Sequence, residues 1–356
     1  MSEKIMIQNK HSKIFSIEFL RVFFVFIIIF GHCMQCYPEI KSLVYNFFKS
    51  DLVPTWFCVE YYAIIGGFLI YYNWKKEVNL FDRIKHVYIR LVPAVLLLYV
   101  LGLIFGLVTE SNLPFVLTMT QGLSIPIADA IGWGDWFAGA YFWSSCLLIS
   151  LLFYFKDKAF LYILPLIYVC LVMQHHTQAP IWMTSFHSII GSEFLRIVYC
   201  MGIGMVAAFV SKNIEISKRK LSVFFASILE AICLYICFKK IIYGTMFFGI
   251  TAILSLGIFL ALAANSAGYI SMFFNKMRKI YYVSRYSWSI FIGHAFVLTL
   301  IQKRLSHYFN IDWISACISV FIGAIIFGIF EYHVIEKRLV PWVLNYFKKD
   351  SKNIFM

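Results

Sequence analysis

The stretch IFSIEFLRVFFVFIIIFGHCMQ, residues 14–35, decides what kind of fold this chain can have. It is apolar over a length that crosses a lipid bilayer, for which an α-helix needs about 20 residues. Its few polar residues include Arg21 in the first half and His32 near the end. Their spacing of eleven residues returns a helix to nearly the same face, about 16 Å further along its axis. The stretch therefore predicts a membrane helix with one polar stripe.

Each of the two polar residues also has a simpler interpretation. Arg21 alone could extend its side chain to the lipid headgroups, and His32 alone could lie in the opposite interface. An arginine deep in a membrane helix is costly and usually faces a partner or a wet cavity. Their occurrence on one face favours a functional role for the pair.

The composition of the whole chain agrees with a membrane protein. Of its 356 residues, 61% are hydrophobic and only 14% are charged, which a soluble domain could not bury. The first apolar run is too long for a signal peptide and no cleavage site follows, so we expect it to be retained. We expect one all-α transmembrane domain over residues 1–356, without an appended soluble domain. Ten apolar runs predict about ten transmembrane helices, near 14–34, 54–73, 87–109, 137–156, 159–174, 192–211, 219–237, 243–264, 281–302 and 312–334.

The distribution of basic residues predicts the orientation of these helices. With the N-terminus inside, 22 of the 31 Lys and Arg residues fall in cytoplasmic segments and six in outside connections. This asymmetry follows the positive-inside rule and predicts that the N- and C-termini are both cytoplasmic. The same residues account for the net charge of +13, because a basic cytoplasmic surface suits anionic membrane lipid. No nucleic-acid partner is therefore expected.

Residues 30–39, FGHCMQCYPE, resemble a metal or redox motif because His32 precedes Cys33 and Cys36. Haem attachment needs the histidine after the cysteine pair, and structural zinc needs a second ligand pair. A disulfide between Cys33 and Cys36 would require the helix to end there. The nine cysteines are scattered through apolar runs, which indicates packing, and we expect no metal site. His175, His176 and His187 lie together without a supporting ligand set.

Several short motifs occur in an order that resembles the acyltransferase 3 family of multi-pass membrane O-acyltransferases. Arg21 and His32 match its Arg-x10-His spacing, and Glu60 with Gly66-Gly67-Phe68-Leu69 is similar to its second helix, with Gly66 in place of a serine. Later motifs depart further: His86-Val87 replaces an arginine pair, and Pro341 is displaced by three residues. The other matching positions are Arg90 and Pro93, Trp143, residues 194–208, His294 and Glu336-Lys337.

The resemblance implies transfer of an acyl group, usually acetyl from acetyl-CoA, to cell-surface carbohydrate. A histidine is a natural general base for activating a hydroxyl, and we assign that role to His32. Glu60 is expected at the depth of His32, where it could fix the tautomer of the imidazole. An acyl-histidine intermediate stays open, and Glu60 could instead pair with another cation or lie in the interface.

The acetyl-CoA donor is anionic, and its phosphates would suit arginine side chains. Arg21 is expected to meet the pantetheine or pyrophosphate portion. The remaining candidates for donor binding are Lys75, Lys76, Arg83, Lys85 and Arg90. Their charges could also do no more than set the orientation of the helices in the membrane and interact with anionic lipid.

The carbohydrate acceptor would arrive at the outer side, where aromatic faces and a carboxylate could bind sugar. An ordinary aromatic belt explains the same tryptophans. His294 could line the cavity or simply pack, and Glu336 with Arg338 is expected to cap the last helix. The candidate acceptor residues are Trp133, Asp135, Trp136, Trp143 and His294.

The sequence therefore favours an O-acyltransferase of the bacterial inner membrane that acts on a surface polysaccharide or its lipid-linked precursor. A polysaccharide exporter, or a non-catalytic subunit of a glycan-assembly machine, is the alternative. The oligomeric state stays open, with a homodimer as one option.

Overall fold

The computed structural model describes residues 14–40, 42, 55–75, 79–120, 123, 135–176, 185–186, 190–214, 216–217, 219–243, 247–305 and 312–353. These residues are almost entirely helical, with one ladder of two-residue strands between residues 185 and 191. In chain order the helices and strands are α1 Phe15–Cys36, α2 Thr55–Tyr72, α3 Leu80–Ile104, α4 Leu113–Thr118, α5 Asp135–Phe155, α6 Phe160–His176, β1 Ser185–Phe186, β2 Ile190–Gly191, α7 Ser192–Asn213, α8 Lys220–Tyr243, α9 Phe247–Ala264, α10 Tyr269–Lys276, α11 Tyr281–Ser284, α12 Ser287–Leu300, α13 Trp313–Glu331 and α14 Val340–Asn353.

The helices agree with the predicted apolar runs, since each of the ten runs overlaps at least one helix. Among the described residues, six helices are long and apolar enough to cross a membrane: α1, α3, α5, α7, α8 and α13. A seventh span results if α9 and α10, bent by 65° at their junction, are counted together. The all-α membrane class is confirmed, while the count of ten spans and the cytoplasmic termini stay predictions.

The tightest helix contact in the bundle joins α2 to α7. A Cβ atom on Gly67 would overlap the carbonyl oxygen of Met201, and one on Gly204 would overlap the carbonyl oxygen of Ile64. Small residues let membrane helices approach at backbone distance, where dispersion forces stabilise them. The two glycines therefore fix the depth at which α2 lies against α7.

The outer faces of the bundle are apolar. Ile314, Ile318, Ile322 and Ile326 follow one another at four-residue spacing along α13 and are all exposed. A solvent-exposed stripe of this kind would aggregate in water, whereas lipid tails solvate it. This face of α13 is therefore a lipid-facing surface.

Two side-chain caps hold the N-terminal ends of helices in the bundle. The side chain of Asn79 accepts a hydrogen bond of 3.0 Å from the backbone N–H of Phe81 and starts α3. Glu230 of α8 is fully buried and accepts from the backbone N–H groups of Gly268 and Ser271, at 3.0 and 3.1 Å. A carboxylate at a helix N-terminus satisfies groups that lack intrahelical partners. Glu230 thus holds α10 at its bend.

The last helix does not end where the sequence suggested. A π-helical segment, Tyr332–Leu339, continues α13 directly into α14. The expectation that Glu336 and Arg338 cap a helix end is therefore wrong, because both lie inside a continuous helix. Segments of this type are rare and occur frequently at functional sites.

Candidate active site

A cavity of about 340 Å³ opens near the N-terminal half of α1. Arg21 of α1 lines it together with Arg83, His86 and Arg90 of α3. Residues 83, 86 and 90 lie on one face of a helix because they follow one another at spacings of three and four. The cavity, here called the cationic pocket, therefore concentrates positive charge in a volume typical of small-molecule sites.

Aromatic side chains form another part of the wall of the cationic pocket. The aromatic lining residues are Tyr62, Trp74, Tyr141 and Trp288. The guanidinium carbon of Arg83 lies 5.5 Å from the centre of the Trp74 indole. The hydroxyl of Tyr62 donates a hydrogen bond of 2.8 Å to the carbonyl oxygen of Arg21. The pocket thus combines flat apolar faces with guanidinium groups, an arrangement suited to an anionic ligand that carries an aromatic ring.

Carboxylates lie beside the arginines of the pocket. Arg21 forms an ion pair of 3.2 Å with Glu18, and 17% of each side chain is exposed. The carboxyl of Glu336 faces the charges of Arg90 and Arg21. Glu331 is fully buried next to Ser289 and also faces Arg90. The ion pair with Glu18 lowers the local positive charge, and none of the three carboxyl groups lines the cavity.

The two histidines of the predicted set lie together in the bundle interior. Nδ1 of His32 lies 2.8 Å from Nε2 of His294, although 262 residues separate them in the chain. Both residues are buried, with exposures of 9% and 1%. The second ring nitrogen of His294, Nδ1, contacts the carbonyl oxygen of Phe291 one turn earlier. This arrangement is called the histidine pair below.

Aromatic rings fill the space between the cationic pocket and the histidine pair. The ring of Phe291 stacks on that of Tyr62, with centroids 4.8 Å apart, and lies 5.9 Å from the ring of His294. Phe137 packs against Phe291 at 5.1 Å and against Trp288 at 6.2 Å. We call these four side chains, Tyr62, Phe137, Trp288 and Phe291, the aromatic layer.

Glu60 pairs with another cation, which is the alternative left open above, and a contact with His32 is not among the described contacts. Glu60 accepts a hydrogen bond of 2.8 Å from Nε of Arg196 in α7, and 7% and 4% of the two side chains are exposed. Phe57 and Tyr61, which flank Glu60, contact Phe24 of α1, two turns before His32. The close packing of α2 on α7 sets this depth and places Glu60 opposite Arg196 instead of opposite the imidazole.

The other predicted donor residues divide between three places. Arg21, Arg83 and Arg90 meet in the cationic pocket. Lys75 is exposed and does not line the pocket, whereas Lys85 lines a separate apolar hollow with Pro93. Lys76 lies outside the described residues.

The predicted acceptor residues do not converge in the described part of the chain. Trp136 packs against the Glu60–Arg196 pair, with the guanidinium carbon of Arg196 5.8 Å from its ring centre. Trp143 is 39% exposed and lies on the face of α5 opposite to Tyr141. Trp133 and His187 lie outside the described residues, as do the side chains of Asp135, His175 and His176.

Sequence reasoning missed the aromatic lining of the pocket. Tyr62, Tyr141 and Trp288 lie inside apolar runs, where an aromatic residue is ordinary. His86, counted above only as a departure from the family motif, also lines the pocket. Its spacing from Arg83 and Arg90 on one helical face was the available signal.

The cysteines next to His32 take no part in this site. Cys33 is buried, Cys36 is partly exposed, and both are free thiols. Within the described ranges, no three His, Cys, Asp or Glu side chains are grouped as a metal site would require.

The order of the motifs along the chain can now be compared with a model of a known protein family. The family model described as an acyltransferase domain matches residues 14–329. The chain belongs to the acyltransferase 3 family. It is a multi-pass membrane acyltransferase, and the match includes the helices of the cationic pocket and both histidines of the pair. No curated protein and no solved structure matches the chain.

Proposed function

We propose that this acyltransferase is an O-acyltransferase of the bacterial inner membrane. It transfers acetyl from acetyl-CoA to a hydroxyl of a cell-surface polysaccharide or of its lipid-linked precursor. The observation that carries the proposal is the position of Arg21 and His32 on α1, where one lines the cationic pocket and the other belongs to the histidine pair.

The cationic pocket supports an acyl-CoA donor. Arg83 and Arg90 can make charge-assisted hydrogen bonds to phosphates, and the indole of Trp74 offers a flat face for an adenine ring. A volume of about 340 Å³ accommodates the narrow pantetheine arm while the nucleotide stays at the entrance. Acetyl-CoA is cytosolic, so this pocket faces the cytoplasm in the orientation that the basic residues predict.

The histidine pair supports proton transfer during attack by the acceptor. His32 removes the proton of the acceptor hydroxyl while its oxygen attacks the thioester carbonyl. The carbon–sulfur bond then breaks, and the proton passes from His32 to the departing thiolate. Acetyl ester and free CoA are the balanced products, and the acceptor approaches from the side opposite to the pocket.

The proposal is tested by the release of CoA from acetyl-CoA by the purified protein in lipid nanodiscs, with surface glycan as acceptor. We expect His32→Gln to lower turnover by about 10²-fold or more, because it removes the base. His333→Gln is the matched control, since His333 contacts Tyr286 and does not line the pocket.

Mass spectrometry of surface glycans from a deletion strain identifies the acyl group and the acceptor together. The expected result is the loss of one acetyl mass from a sugar unit, restored by wild type but not by His32→Gln. Equal turnover in wild type and His32→Gln, or unchanged glycans in the deletion strain, would refute the proposed function.

A further inference from the structure

The second histidine of the pair occupies an unusual environment for a polar side chain. His294 lies in α12, in which every residue from Ser287 to Leu298 is buried. Both of its ring nitrogens nevertheless have a partner: Nδ1 contacts the Phe291 carbonyl, and Nε2 contacts His32. Because both contacts are formed inside the bundle, the orientation of the His294 ring is fixed.

The geometry of the two rings shows a direct hydrogen bond between them. Their planes differ by 15° and their centroids are 5.0 Å apart, while the two nitrogens are separated by 2.8 Å. The centroid distance is close to the sum of the nitrogen–nitrogen distance and the two ring radii, so the two centroids and the two nitrogens lie nearly on one line. The rings of His32 and His294 therefore meet edge to edge, with the N–H of one directed at the lone pair of the other.

The hydrogen-bond partners assign the tautomers of both rings. A backbone carbonyl only accepts, so Nδ1 of His294 must carry the hydrogen that binds Phe291. A neutral imidazole has a single N–H, so Nε2 of His294 is an acceptor. The hydrogen between the rings therefore belongs to Nδ1 of His32, which leaves Nε2 of His32 as the nitrogen that can accept a proton.

We propose that His294 is a positioning residue that holds His32 in this Nδ1–H tautomer. The inference rests on the proposed function, in which His32 accepts a proton from a hydroxyl. It assigns to an imidazole the role that a carboxylate has in a Ser-His-Asp triad. It also replaces Glu60, which the ion pair with Arg196 holds elsewhere, as the group that orients the base.

Two amide substitutions at His294 separate the bond to His32 from the bond to Phe291. In His294→Gln the side-chain oxygen reaches the position of Nε2 and can accept from His32. In His294→Asn the same amide is one methylene shorter, so it can donate to the Phe291 carbonyl but does not reach His32. Asparagine is therefore the disruptive variant and glutamine the matched control.

The first readout is the tautomer of His32, from the 15N chemical shifts of histidine-labelled protein, with the signal assigned by its loss in His32→Gln. We expect the Nδ1–H form in wild type and in His294→Gln, and a shift to the Nε2–H form in His294→Asn. Thermal unfolding of each variant shows that the bundle is intact. An Nε2–H form in wild type, or no change in His294→Asn, would overturn the proposal.

The second readout is the turnover of acetyl-CoA. We expect His294→Asn to lower kcat by about 10²-fold with KM for acetyl-CoA within about threefold, because His32 is no longer held in the tautomer that accepts the proton while the donor pocket is intact. His294→Gln should stay within about tenfold of wild type. Equal losses in both variants, or wild-type kcat in His294→Asn, would contradict the positioning role. If wild type itself turns over no acyl-CoA, the proposed function fails, and the tautomer measurement alone decides whether His294 sets His32.

Discussion

The ion pair between Glu60 and Arg196 gives a prediction that separates a structural role from a chemical one. Substitution of Glu60 by leucine leaves the guanidinium of Arg196, 4% exposed, without the carboxylate 2.8 Å away. Breaking a buried pair in this way costs about 3–5 kcal/mol, because a charge remains in a medium that solvates it poorly. We therefore expect Glu60→Leu to lower the free energy of unfolding by about this amount.

A second substitution should reverse most of that loss. Replacing both members of a buried pair by apolar residues of similar size is often neutral or stabilising. Methionine at position 196 can still pack on the indole of Trp136. We thus expect the double variant Glu60→Leu/Arg196→Met to be more stable than either single variant, with most of its acetyl-CoA turnover intact, since the pair does not line the pocket.

The buried thiols of the chain provide the assay for these variants. Cys58 and Cys200 are buried close to Glu60 and belong to six buried free thiols, so a thiol-reactive fluorophore reports the opening of the bundle on heating. The same samples are assayed for CoA release. A Glu60→Leu protein as stable as wild type but inactive, or a stable double variant without activity, would refute a purely structural role of the ion pair. Glu60 would then have a catalytic role.

Two further predictions concern the pocket and the cap of α10. Arg90→Ala should raise KM for acetyl-CoA about tenfold with little change in kcat, because a charge-assisted phosphate contact is lost. Steady-state kinetics compare this variant with Lys85→Ala, since Lys85 lines a different hollow. Equal effects of the two substitutions would contradict a specific phosphate site. Glu230→Ala should lower the free energy of unfolding by about 1–3 kcal/mol, because the N–H groups of Gly268 and Ser271 lose the carboxylate that they bind. In thermal unfolding, the stability of Glu230→Gln should lie between those of wild type and Glu230→Ala. A Glu230→Ala variant with wild-type stability would contradict the cap.

The sequence predicts best what depends on one helix. The apolar runs follow from the length that lipid requires, and each of them overlaps at least one helix. The shared face of Arg21 and His32 follows from helical periodicity alone. Arg83 and Arg90 likewise converge because they are two turns apart on α3. In each case, the information lies within about a dozen consecutive residues.

Pairings between helices were predicted less well, because they depend on how deep each helix lies. Glu60 was assigned to His32 from its place in an apolar run, but the glycine contacts of α2 with α7 set its depth beside Arg196. His294 was a candidate only as a cavity or packing residue. No local pattern states that a residue 262 positions away completes the bond to His32.

The aromatic layer has a consequence for the membrane as well as for the reaction. A protein with a cavity opening at one end and a histidine pair beyond it risks becoming a conduit for protons and small ions. The packed rings of Tyr62, Phe137 and Phe291 occupy that route, and rings offer ions no substitute for hydration water. In the proposed reaction, the acyl group would have to displace these side chains to reach His32. The layer therefore separates the cationic pocket from the histidine pair and would limit the leak of ions while the proposed reaction takes place.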